Sequence, residues 1–397
     1  MKKYIIITGG ELKNKGAQAM SFVTIDEMKR RYPECEVVLF SWMDYKRSED
    51  EKNNYKFRIL PFPGFGESLS LCTGLLKKRY LRRENGKAFA EYKSIFENAA
   101  MLLDISGFSL GSKWPDAANK DYIRRLRLAK HFKIPVYLMP QSFGPFDYEG
   151  KNAKKINKWI KKYLSTAKLV MAREYEGAQL LRDNYCLGNV IKTPDLVLQN
   201  KEIDLNNIYK QIPRKKNVVL EHSVAIIPNF KNRVFGDEKK LLELYDSIIS
   251  LLLEKDYNVY FIYHAIEDLA ICKQIKETFF PNCERVILIE DELSCVDFDE
   301  VVGNFDFIIG SRYHSVVHAY KRGVPAVVLG WATKYQELTR ALCQEQYCFS
   351  VENDIIYGEI TEKVSQLCDR FRDESSIISA KVSDIQKENV YDLIDIK

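Results

Sequence analysis

Phe305-Asp306-Phe307-Ile308-Ile309-Gly310-Ser311-Arg312-Tyr313-His314-Ser315-Val316-Val317-His318 decides how this chain folds. The apolar residues Phe305–Ile309 predict a buried strand that ends at Gly310, with a helix opening a few residues later. In a parallel sheet, ligands bind outside the carboxyl ends of the strands. The helix start adds free N–H groups and a positive dipole end, which suit a phosphate or carboxylate. Arg312 can fork to such an anion, Ser311 lies beside it, and His314 in the same turn can move a proton near neutral pH. The plainer alternative is an arginine paired with an acid at the helix end and a histidine that packs. His318 follows one turn after His314, so a two-histidine metal site must be weighed. Ser315 stands where HExxH carries glutamate, and no third ligand is near, so packing is the expectation for His318 and no metal is assigned.

Working outward, the same strand–turn–helix rhythm recurs. Strands are expected at Tyr4–Thr8, Val37–Trp42, Lys56–Leu60, Ala100–Ile105, Ile134–Met139, Lys168–Ala172 and Val190–Lys192. A polar, lysine- and asparagine-rich stretch, 199–217, reads as a linker. Beyond it the rhythm restarts, with strands at Ser223–Ile227, Asn258–Tyr263, Arg285–Ile289, Phe305–Ile309 and Pro325–Leu329. Alternating strands and helices imply parallel sheets covered on both faces. The expected class is α/β, with two Rossmann-like doubly wound domains, 1–198 and 218–397, facing a cleft in a GT-B-like arrangement. The second domain is expected to end in helices.

Other strand ends supply further candidates. Arg173 follows Leu169-Val170-Met171-Ala172, and if both domains turn their strand ends to one cleft, Arg173 and Arg312 can clamp an anion from opposite sides. Lys334 would add a third positive charge, and His264 ends the strand 258–263. The first loop, Thr8-Gly9-Gly10 to Asn14-Lys15-Gly16-Ala17-Gln18, lets backbone approach an anion, with Asn14 or Gln18 to orient a hydroxyl. It matches neither GxGxxG nor a Walker A loop. Gly107, in Ser106-Gly107-Phe108-Ser109, and Gln141-Ser142, in Gln141-Ser142-Phe143-Gly144-Pro145, sit at equivalent places, where turn chemistry alone would also explain them.

Composition bounds these readings. The 397 residues suit two domains, and 46% hydrophobic with 29% charged residues rules out disorder along the whole chain. No apolar run approaches the length of a membrane span, and the start lacks the apolar core of a signal peptide, so a soluble cytoplasmic chain is expected. Nine irregularly spaced cysteines without a CxxC pair fit reduced thiols. Residues 1–200 hold 36 Lys and Arg against 22 Asp and Glu, whereas the remainder is acidic overall. This asymmetry points to an anionic acceptor or peripheral contact with the inner face of an anionic membrane. Solvated helix faces are the alternative, strongest at 151–164.

These residues resemble the polysaccharide pyruvyl transferase family. The likeness runs through Asn14-Lys15-Gly16-Ala17-Gln18-Ala19, Asp104-Ile105-Ser106-Gly107, Gln141-Ser142-Phe143-Gly144-Pro145, Ala172-Arg173-Glu174 and Pro194-Asp195. It is strongest in Gly310-Ser311-Arg312-Tyr313-His314, continuing through Ala319, Gly323-Val324-Pro325 and Lys334. Ala17 departs from it, standing where many members carry an acidic residue. The resemblance implies a GT-B-like pair of domains that moves pyruvate from phosphoenolpyruvate onto two hydroxyls of a sugar, forming a cyclic ketal and releasing phosphate. Arg173 and Arg312 would bind the donor, with His314 as acid/base. Phosphoenolpyruvate would be a co-substrate, with no cofactor and no nucleic acid partner. The sugar acceptor, lipid-linked or free, would meet the basic first domain, and the donor the second. Two other readings remain open here, a GT-B glycosyltransferase using a nucleotide sugar and a non-catalytic protein that binds an anionic glycan.

Overall fold

The computed structural model describes residues 3–74, 84–213, 219–351 and 357–395. The basic cluster Lys77-Lys78-Arg79 with Arg82-Arg83 lies outside the described residues. Two parallel sheets organise the chain. In the first, β1 (Lys3–Thr8), β2 (Cys35–Phe40), β3 (Arg58–Leu60), β4 (Ala99–Asp104), β6 (Val136–Phe143), β7 (Leu169–Ala172) and β8 (Val190–Lys192) run in the order β3-β2-β1-β4-β6-β7-β8. The short β5 (Phe108–Leu110) pairs with β6 outside that row. The second sheet has the order β11-β10-β9-β12-β13-β14, from β9 (Ser223–Ile227), β10 (Asn258–Ile262), β11 (Val286–Ile289), β12 (Phe307–Gly310), β13 (Ala326–Gly330) and β14 (Cys348–Ser350).

Both orders wind outward in two directions from a central pair, β1 with β4 and β9 with β12. That is the doubly wound pattern, and ligands enter the crevice where the direction switches. The strands are apolar because helices cover both faces. Ile5, Ile6 and Ile7 have no exposed surface, and β6 is buried along its whole length.

A continuous apolar core joins the two domains. It links Leu12, Met20 and Phe22 of the first domain to Phe298, Val316 and Tyr320 of the second. The helix Lys15–Arg31 is the main bridge. Gln18 Oε1 accepts from the Cys295 amide at 2.6 Å, and the Lys15 ammonium donates to the His264 carbonyl at 3.2 Å.

The stretch expected as a linker does more than tether. Within 199–217, the short helix Leu205–Ile208 lies on the helix Lys15–Arg31, and Asp26 accepts from the Asp204 amide and the Asn207 side chain. Ile208 is fully buried. The sequence reading places all of 218–397 in the second domain, and a long helix, Tyr357–Ile385, follows β14. Residues 389–395, however, return to the first domain. Tyr391 shares a 2.7 Å hydrogen bond with Thr24, Asn389 donates to Glu27, and Tyr137 donates to the Asp395 carbonyl. The short strands β5 and β14 are additions to the expected set.

This return strap should carry measurable stability. Tyr391 is 2% exposed, so Tyr391→Ala should cost about 3–5 kcal/mol and Tyr391→Phe about 1 kcal/mol. Denaturant unfolding measures both, and an alanine variant as stable as wild type would contradict the docking.

Candidate active site

The first domain contributes a buried polar cluster at its strand ends. Arg173 directly follows β7 and is 6% exposed. Its Nη1 donates to Asp195 Oδ2 at 2.8 Å, and its Nη2 to Ser142 Oγ at 2.8 Å and to the Gly107 carbonyl at 3.1 Å. Gly107 has φ of +66°, a left-handed conformation that glycine adopts without strain, and this turn aims the carbonyl at the guanidinium. Ser142, near the end of β6, donates to Glu174 Oε1 at 2.9 Å. Arg173 Nε has no hydrogen-bond partner, with Glu174 Oε1 3.7 Å away.

Asp195 was recognised only as part of a motif, yet it is the hinge of this cluster. It follows β8 and starts the short helix Leu196–Gln199, where its Oδ1 accepts from the Val197 amide. Its Oδ2 takes Arg173 and also faces His314 Nε2 of the second domain at 3.6 Å. That spacing is an ion-pair distance, too long for a formed hydrogen bond. Burial alone would raise the Asp195 pKa, but His314 and Arg173 outweigh it and hold the carboxyl well below its ordinary range.

The second domain presents the turn after β12. Ser311 is fully buried, its hydroxyl meets Tyr245, and its carbonyl accepts from Asn229 and Tyr335, so it holds the turn. Arg312 is already occupied. Its Nε and Nη2 grip both oxygens of the buried Asp268 at 2.8 and 2.7 Å, and Nη2 also reaches Glu267. Each arginine of the expected clamp is held by carboxylates of its own domain, Arg173 by Asp195 and Arg312 by Asp268 and Glu267.

His314 points from this turn toward the first domain. A Cβ on Gly16 would collide with its imidazole, so the glycine serves close interdomain approach. Burial lowers the pKa of His314, while Asp195 pulls it back up. Tyr313 lies under the Arg173 guanidinium, 4.6 Å from ring centre to Cζ.

Lys334 completes the cluster from the helix Thr333–Ala341. Its ammonium lies 5.3–5.8 Å from the ring centres of Phe108, Tyr313, Trp331 and Tyr335. Burial, with Arg173, Lys231 and Arg312 nearby, lowers its pKa to about 7, and Glu174 opposes the shift. Lys334, Ser142 and Glu174 line a cleft of about 380 Å³ walled by Phe108, Trp331 and Tyr335.

Asn14 caps the helix Lys15–Arg31, Gln18 holds the domain interface, and Gln141 is tied to Tyr122, Asp104 and Met139 inside the core. His264 is 2% exposed, both ring nitrogens lack partners, and burial pushes its pKa well below normal. His318 is buried and bonded to Asp299 at 2.8 Å. Among the described residues no three His, Cys, Asp or Glu side chains group as metal ligands.

Residues 14–333 match the family model described as polysaccharide pyruvyl transferase. No curated protein matches the chain. Among solved structures, the UDP-GlcNAc 2-epimerase from Methanocaldococcus jannaschii aligns with TM-score 0.55 at 15% identity, covering 93% of this chain and 92% of that one. Anabaena HepE, in complex with UDP and glucose, aligns with TM-score 0.54 at 11% identity, covering 99% and 97%. The UDP co-structure of MnaA from S. aureus gives 0.54 at 14%, covering 95% and 91%. At these identities the likeness shows the GT-B-type fold.

If Asp195 sustains the His314 pKa, Asp195→Asn should shift the imidazole titration to lower pH, since the charge that favours imidazolium is gone. NMR titration, with the His314 signal assigned by its loss in His314→Gln, reads this directly. An unmoved titration would remove Asp195 from any role in tuning the histidine.

Proposed function

The chain belongs to the polysaccharide pyruvyl transferase family, and on that premise we propose that it transfers pyruvate from phosphoenolpyruvate to a sugar diol of a cell-surface polysaccharide precursor. The product is a cyclic ketal, and phosphate leaves. The observation that carries this reading is the Arg173–Asp195–His314 array, buried where the strand ends of both sheets meet and bordered by Lys334, which has no carboxylate partner among the described residues.

The donor carries a carboxylate and a phosphate, so it requires cations. Arg173, through its unpartnered Nε, and Lys334 are assigned to it. Arg312 is assigned to positioning: its ion pairs with Asp268 and Glu267 fix the turn that carries His314. His314 is the acid/base. Burial lowers its pKa and Asp195 raises it, and an anionic donor placed beside it would raise it further so that it can carry a proton.

Protonation of the donor's methylene carbon develops positive charge at the adjacent carbon, which one sugar hydroxyl attacks. The second hydroxyl then displaces phosphate and closes the ring. The protons balance within the reaction, one hydroxyl proton ending on the methyl carbon and the other on the departing phosphate. No metal or cofactor is invoked.

The acceptor is assigned to the side of the basic first domain. Among the described residues no helix is long and apolar enough to cross a membrane. A cytoplasmic enzyme working at the inner membrane face is the setting proposed.

Phosphoenolpyruvate should raise the thermal midpoint of the protein, and UDP- or GDP-sugars should not. With a panel of glycan precursors, phosphate release and acceptor mass gain should appear together. His314→Gln should lower turnover on the order of 100-fold while leaving donor stabilisation in place. Wild-type turnover in that variant removes the catalytic role of His314, and turnover of a nucleotide sugar instead of phosphoenolpyruvate overturns the reading.

A further inference from the structure

The free positive charge of the cleft resides in lysines, and two of them have no role so far. Lys113 of the first domain lines the cleft, and its ammonium lies 5.8 Å from the centre of the Trp331 ring that Lys334 also borders. Lys231, in the turn after β9, crosses to the first domain, where its ammonium lies 5.8 Å from the ring centre of Trp114. Trp114 is the residue after Lys113. Lys231 is also close enough to Lys334 to help depress its pKa.

None of the three lysines forms an ion pair with a carboxylate among the described residues. Arg173 and Arg312, by contrast, are held by Asp195, Asp268 and Glu267. Like charges repel one another where few counter-ions answer them, here Glu174 beside Lys334 and Glu267 near Lys231, and an arriving anion relieves that cost. The groups facing Lys334 include one carboxylate, Glu174, against the cations Arg173, Lys231 and Arg312. The helix Thr333–Ala341 begins in the same cleft, and Ala332 supplies no side chain to cap its first amides. Those N–H groups and the lysines favour the same kind of ligand.

We propose that Lys113, Lys231 and Lys334 form a phosphate-binding subsite shared by the two domains at the mouth of the cleft. Because it draws on Lys113 from one domain and Lys231 and Lys334 from the other, a bound phosphate draws the domains together. The lysines recognise a phosphate group whether it belongs to the donor or to a diphosphate on the acceptor. Only the donor case rests on the pyruvyl-transfer reading.

Isothermal titration of the full chain with inorganic phosphate, pyrophosphate and phosphoenolpyruvate tests the subsite. Lys113 and Lys231 are exposed, so the Lys113→Ala/Lys231→Ala double variant should keep its fold, which its thermal midpoint checks. That variant should bind at least one of these phosphates roughly tenfold or more weakly, and the paired Lys→Arg variant should recover most of the loss. Weakened phosphoenolpyruvate and inorganic phosphate would assign the subsite to the donor. Weakened pyrophosphate with unchanged phosphoenolpyruvate would assign it to a diphosphate. If wild type binds pyrophosphate through these lysines but not phosphoenolpyruvate, the subsite stands and the pyruvyl-transfer reading fails. If none of the three ligands binds wild type, or none is weakened more than about twofold in the double variant, the subsite is overturned.

Discussion

A buried carboxylate is tolerated only when its charge is answered, and Asp195 is answered from two domains at once. With its side chain 1% exposed, it would be expensive to ionise alone. Arg173 supplies a direct hydrogen bond from the same domain, the Val197 amide another, and His314 closes in from the opposite side. The relative placement of the domains is thus part of the charge balance of the site. A shift that withdrew His314 would leave Asp195 with less compensation and would open the gap at Gly16, where backbone and imidazole now touch.

The rest of the architecture keeps that meeting point in place. Both sheets run parallel, so all strand carboxyl ends in each domain lie on one edge, and the two edges face each other. The apolar core passing from the helix Lys15–Arg31 into the second domain fixes their approach, as does the strap of residues 389–395. Division of labour among the cations follows from their partners. Arg173 and Arg312, bound to carboxylates, shape the site. Lys334, held among aromatic rings, has its pKa lowered by burial to about 7, so its charge is sensitive to its surroundings.

Much of this was legible in the chain because period and position carry it. Uniformly apolar runs such as Ile5-Ile6-Ile7 and Phe307-Ile308-Ile309 mark strands buried on both faces, and the polar residue after each run marks the cleft edge. Arg173, His314 and Lys334 each stand within a few residues after such a run. What escaped depends on contacts between distant residues. Asp268 and Glu267 stand plainly in the sequence beside His264, but nothing local says that they close on Arg312, more than forty residues away. The loop signature of Gly16 and Gln18, which suits an anion, says nothing of the domain interface at which both residues stand. Strands β5 and β14 are three residues long and each carries a serine, so no apolar run marks them. The return of residues 389–395 rests on a few polar contacts and on the buried Val390, Tyr391 and Ile394, too scattered to leave a pattern behind.

The chemistry proposed here has a signature that no other reading shares: a proton must be added to the methylene carbon of phosphoenolpyruvate, and that carbon must stay on the acceptor as a methyl group. The most direct measurement is therefore the reaction of carbon-labelled phosphoenolpyruvate with an active acceptor in deuterium oxide, followed by NMR and mass spectrometry of the product. The account predicts the labelled three-carbon unit on the acceptor as a ketal, with one solvent deuterium in each new methyl group and phosphate released in equal amount. Phosphate release without label on the acceptor, or a labelled product that retains the vinyl group, would contradict it.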